Sequence, residues 1–135
     1  MFVNFVRMRV ASYFVLLLIP FALWAHGEDK FGPHGGYIRM PGAFHTEVKI
    51  DASSLQIYLL DFEWKNPKVE NSKVKASYVQ EGQAIELECK KESNYFKCGF
   101  PKTFESSAGE IHIQAERDGV KGGIAKYELP LSLKK

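Results

Sequence analysis

The chain has 135 residues, two cysteines and 18 Lys+Arg against 16 Asp+Glu, a formal net charge of +2. That length suits one domain with a core of its own. Arg7 and Arg9 fall near the start, so residues 26–135 hold 16 basic and 16 acidic side chains, and no basic stripe remains for a nucleic-acid backbone or an anionic membrane.

Residues 1–25 read as a secretory signal peptide: Arg7 and Arg9 form a basic start, Val10 to Ile19 an apolar core, and Pro20 and Ala25 precede the polar run from His26 to Lys30. Cleavage is expected after Ala25, with Ala22 as the alternative. The competing reading is an uncleaved anchor. The sixteen residues from Val10 to Ala25 contain Ser12 and Pro20, and a spanning helix wants about 20 apolar residues. The expected destination is the periplasm of a Gram-negative cell, or secretion, with membrane contact only through the signal before cleavage.

Residues 26–42 form a His/Gly/Pro-rich segment leading into the first strand, and 43–135 a β-sandwich domain. Alternation with a period of two recurs in chain order: Phe44, Thr46, Val48, Ile50; then Leu55, Ile57, Leu59; Val74, Ala76, Tyr78; Ile85, Leu87, Cys89; Ile111, Ile113, Ala115; and Ala125, Tyr127, Leu129, Leu131. Such alternation turns one face of a strand to a core and the other to water. Turn signals at Pro41-Gly42, Asp51 to Ser54, Asn66-Pro67, Glu81-Gly82, Ser106 to Gly109 and Asp118-Gly119 separate the runs. About seven short strands at this spacing predict an all-β, immunoglobulin-like antiparallel sandwich.

A two-residue turn at Ser93-Asn94 would set Glu92 opposite Tyr95 and hence Cys89 opposite Cys98. Two exported cysteines so placed are expected to form a disulfide. The other reading, a thiolate metal or redox pair, lacks the C-x-x-C spacing usual for redox work.

Three of the four histidines, His26, His34 and His45, lie between residues 26 and 45, with Met40 and Glu47 close by in sequence. Imidazole suits copper and zinc, and a thioether adds a preference for cuprous copper. If His26 is the mature N-terminus, its α-amine and imidazole chelate one metal together, and His34 or His45 completes a T-shaped copper site; a frayed terminus is the plain alternative. Pro33 stiffens the approach to His34 and the Gly35-Gly36 pair lets the chain turn just after it, which suits a ligand and an ordinary loop equally. His45 and Glu47 share one face of a strand, opposite Phe44 and Val48, and are expected exposed or under the N-terminal segment. His112 is expected at the surface.

The runs Pro33-His34-Gly35-Gly36, Phe44-His45-Thr46-Glu47-Val48 and Leu55 to Asp61 resemble a group of small exported proteins and domains associated with periplasmic heavy-metal handling, including segments of membrane-fusion subunits of heavy-metal efflux pumps. The resemblance spans roughly residues 26–80. It implies His34 as the matching histidine; the expected partner is a metal-efflux or envelope protein. A looser similarity is to copper-resistance β-sandwiches whose mature chain begins with histidine, where only His26 and the fold class correspond. The long His/Asp/Glu tracts of exported metal buffers are missing, which argues against bulk storage.

No enzyme signature emerges. Ser53, Ser54, Ser106 and Ser107 sit in turns without a G-x-S-x-G elbow, and neither H-E-x-x-H nor a phosphate loop is present. Two expectations therefore stand: an exported, non-enzymatic metal-binding module for copper or zinc, using His26, His34, His45, Glu47 and Met40; or an envelope interaction domain using Phe62, Trp64, Tyr95, Phe100 and Phe104. Buried aromatics throughout would remove the support for the second.

Overall fold

The computed structural model describes residues 28–134; the expected signal peptide and His26 lie outside them. Nine strands follow in order: β1 (Tyr37–Arg39), β2 (His45–Asp51), β3 (Ser54–Leu60), β4 (Lys73–Gln80), β5 (Gln83–Glu86), β6 (Cys89–Lys91), β7 (Phe96–Gly99), β8 (Glu110–Arg117) and β9 (Val120–Glu128). Two antiparallel sheets, β1-β2-β3-β7-β6 and β5-β4-β8-β9, pack face to face. With β1 set aside, β2 to β9 occupy positions A, B, C, C′, D, E, F and G, so the sheets are A-B-E-D and C′-C-F-G, an immunoglobulin-like order.

The expected architecture is therefore present, with nine strands where about seven were expected. One addition is β1, contributed by the segment expected only to lead into the first strand; it pairs with β2 from Tyr37↔Val48 to Arg39↔Thr46. The other arises because the run Ile85-Leu87-Cys89 is two strands. Leu87 is buried where the chain passes from one sheet to the other, and its amide donates to the Ala76 carbonyl at 2.9 Å. Alternation persists through such a crossing, so the pattern alone shows no break.

The core joins Val48, Leu55, Ile57, Leu59, Phe96 and Cys98 of one sheet to Ala76, Tyr78, Ile111, Ile113, Ala125 and Tyr127 of the other. Fully burying a large side chain of this kind contributes about 1.5–3 kcal/mol. Glu81-Gly82 and Asp118-Gly119 all take positive φ, from 50° to 82°, as two-residue turns that match the twist of β4–β5 and β8–β9 require. The cysteine register is as expected: Cys89 faces Cys98 across β6–β7, the Glu92 amide donates to the Tyr95 carbonyl at 2.8 Å, and the disulfide is formed. It ties a hairpin within one sheet rather than the two sheets together. Among the described residues no helix is long and apolar enough to cross a membrane.

Candidate functional site on the outer face of the larger sheet

A strand with one buried face should leave its other face wet, yet the outward face of β2 and β3 is largely covered. Ile38, Tyr58 and Leu60 form a second apolar cluster there, with Trp64 and Tyr95 packed against it. The cover comes from two loops, residues 31–36 and 61–66.

The first loop is built around Glu47. Its carboxylate is wholly buried and accepts from the His34 amide (2.8 Å, Oε1), the Gly36 amide (3.0 Å, Oε1) and His34 Nδ1 (2.8 Å, Oε2). The Gly32 amide donates to the Gly36 carbonyl at 2.8 Å and closes the loop on itself. A Cβ on Gly32 would lie 2.5 Å from the Glu47 carboxyl carbon, and one on Gly36 the same distance from the Val48 carbonyl oxygen. Both glycines are thus needed for the backbone to approach the carboxylate.

A carboxylate only accepts, so the proton in the His34–Glu47 contact sits on Nδ1. In the neutral ring the lone pair then belongs to Nε2. The ring stacks on Tyr58, centroids 3.7 Å apart and planes within 8°, and Tyr58 in turn meets Tyr95 at 5.2 Å. Burial, then the neighbouring Tyr95 and the negative charge of Glu47, raise the Tyr58 phenol above its ordinary value. The His34 side chain keeps 27 % of its surface exposed. The ring is held in position and orientation while still reaching solvent.

The second loop is organised by Asp61, whose carboxylate accepts from the amides of Glu63 and Lys65 and from the Asn66 side chain. The Lys65 hydrogen bond is the main cause holding the Asp61 carboxyl below its usual range, with Asn66, Glu63 and Arg117 adding to it against a small desolvation cost. Trp64 takes φ +65° in this turn, a conformation L-residues rarely adopt. The loop covers His45, which is 1 % exposed, contacts Asp61 O through Nδ1 at 3.1 Å, and lies beside Phe62 and Trp64.

The expected site residues are therefore distributed. Glu47 meets His34, not its strand neighbour His45. His45 is buried beneath the 61–66 loop, neither exposed nor under the N-terminal segment, because that loop supplies the carbonyl and rings around it. Met40 lines a separate cleft with Glu28, Arg39 and β9. His112 is half-buried rather than fully at the surface, with Nε2 2.6 Å from Glu110 Oε2. Among the described residues no three His, Cys, Asp or Glu side chains converge as a metal cage. Of the five aromatics, Phe62 is 59 % exposed and Trp64, Tyr95, Phe100 and Phe104 are half-buried.

Sequence reasoning passed over Tyr58 and Arg39, and offered Tyr95 only as an interface aromatic, not as a neighbour of Tyr58. A signal for the first existed: β3 turns both Tyr58 and Leu60 outward, and two apolar residues on a supposedly wet face indicate a cover. Compared with protein-family models, with curated proteins and with solved structures, the chain matches none of them.

Proposed function

We propose that this domain is an exported metal-binding module, for copper or zinc, in which Nε2 of His34 is the ligand atom and Glu47 holds the ring rather than binding the ion. The observation that carries this reading is the His34–Glu47 contact: a ligating histidine commonly donates its other ring nitrogen to a carboxylate, which fixes the tautomer and raises the basicity of the metal-facing nitrogen. The donor set fits such an ion in part. Glu47 spends both oxygens on the loop, and His45 is occupied beneath its own, so at this site the described residues offer one oriented imidazole and not a closed cage; His112, held by Glu110, lies on β8 of the other sheet. A structural zinc site takes four protein ligands. An exchangeable site with open positions suits one oriented histidine better, and His26, a partner protein or water supplies the rest. Transfer or sensing follows more naturally from that arrangement than storage. The disulfide favours an oxidising compartment such as the periplasm, in keeping with the expected signal peptide.

Titration of the exported protein with Cu(II) and Zn(II) tests the reading. One equivalent should bind with a Kd below about 100 μM (stronger than about −5.5 kcal/mol), and His34→Ala should abolish it. Binding unchanged in His34→Ala would sink the assignment.

A second reading is supported by Phe62, which stands 59 % exposed on a loop pinned by Asp61. An aromatic held out on a rigid loop is the kind of anchor that protein interfaces use. Phe62→Ala would then weaken a partner complex without altering metal uptake.

A further inference from the structure

Arg39 is a buried cation on the opposite face of β1 from the His34 site. It is 6 % exposed, its Nε–H donates to the Lys126 carbonyl (3.3 Å) and one Nη1–H to the Ile38 carbonyl (2.8 Å), and its guanidinium lies 4.8 Å from the Tyr127 ring centroid. An arginine carries five N–H donors. Two are used, and among the described residues no carboxylate pairs with it. Nη2, which has no acceptor there, is not sealed from solvent. A buried charge normally has an ionic partner, because leaving it uncompensated is costly.

Arg39 lines a cleft of about 200 Å³ between the start of the described chain and β9, together with Glu28, Met40, Lys126 and Lys134. Its charged lining is three cations against one carboxylate, and that carboxylate, Glu28, is already engaged by Lys134 at 3.1 Å. The remaining excess is positive, and Arg39 contributes a planar donor fork to the lining.

We propose that this cleft binds a small oxyanion, a carboxylate or a phosphate, held by the remaining N–H donors of Arg39 with Lys126 contributing charge. Arginine is suited to this role because its fixed fork matches two oxygens of one anion, which an ammonium cannot do.

The test is titration of the exported ¹⁵N-labelled protein with inorganic phosphate and, separately, with acetate, following the Arg39 side-chain Nε–H and the Lys126 and Ile38 amides by NMR. Saturable shifts with a Kd of roughly 1–10 mM or tighter are expected for at least one of the two, and the tighter one identifies the preferred oxyanion. Arg39 variants could disturb the strand pairing, so the discriminating changes are peripheral. Lys126→Glu should weaken binding by about tenfold or more at low salt, and Glu28→Gln should strengthen it. Shifts that fail to saturate by 100 mM with both anions, or saturate equally in wild type and both variants, would show that Arg39 only straps β1 to β9.

Discussion

His34 and Glu47 are thirteen positions apart in sequence and meet at two points, backbone amide and ring Nδ1 each 2.8 Å from a separate oxygen of one carboxylate. One buried side chain thereby sets both the path of a loop and the orientation of an imidazole. Structure and proposed chemistry share a single contact, and its removal should register in both.

Glu47→Gln keeps the shape but replaces one acceptor oxygen with an amide that faces donors. Two amides and a ring N–H lose a charged acceptor in a dry setting, a class of change that costs about 2–4 kcal/mol. Urea unfolding should show that loss. Where metal binds at His34, affinity should also fall by about 10–100-fold, whereas Asp51→Asn, on the exposed end of the same strand, should alter neither.

Gly36→Ala and Gly99→Ala form a contrasting pair. At Gly36 the new Cβ would meet the Val48 carbonyl at 2.5 Å, an atom fixed in the β1–β2 ladder, and a loss of about 1–3 kcal/mol is expected. At Gly99 nothing lies within 4 Å, and the smaller entropy of the unfolded chain should stabilise by up to about 1 kcal/mol. Thermal unfolding of the two variants should move in opposite directions.

The disulfide closes a loop with a sequence separation of 9. The chain-entropy relation gives about 2.5–3 kcal/mol for a loop of that size. Reduced protein, or Cys89→Ala/Cys98→Ala, should lose about that much in urea unfolding and keep its fold, since the covalent bond lies within one sheet and does not link the two.

Asp61 gives the acid limb of stability a specific source. Its carboxyl is held below the ordinary range, principally by the Lys65 amide, and that of Asp118 is lowered in the same direction, principally by Lys68. A depressed native value means the folded state favours the charged form. The contribution is therefore present above the unfolded value of about 4 and is lost as pH falls through the lower native value. Asp61→Asn should flatten the decline of the urea midpoint as pH falls below about 4 while lowering the midpoint at neutral pH.

Much of the sandwich was legible because its signals are local. The Leu55-Ile57-Leu59 alternation, the Glu81-Gly82 and Asp118-Gly119 turns, and the register counted outward from Ser93-Asn94 each depend on a few neighbouring residues. The division of Ile85 from Cys89 was not legible, since a strand that changes sheets keeps its parity. The site was half legible. The loop glycines and the outward Glu47 stood in the sequence, but the partner of Glu47 was decided by how residues 31–36 fold over Tyr58, a contact between segments. His45 went the same way: its parity was read correctly as outward, and its burial came from a loop sixteen residues further on that closes over it. Arg39 carried no signal at all, because an arginine at the end of a short edge strand reads as solvent-exposed until β9 is placed against it.

The most direct measurement is a long-range ¹H–¹⁵N NMR spectrum of the His34 imidazole in the exported protein near pH 8, before and after one equivalent of Zn(II). A proton on Nδ1, an unprotonated Nε2, and a large change at Nε2 on adding zinc are the predicted result. A proton on Nε2, or an imidazole that zinc leaves unchanged, would contradict the account and leave Glu47 as the anchor of a loop.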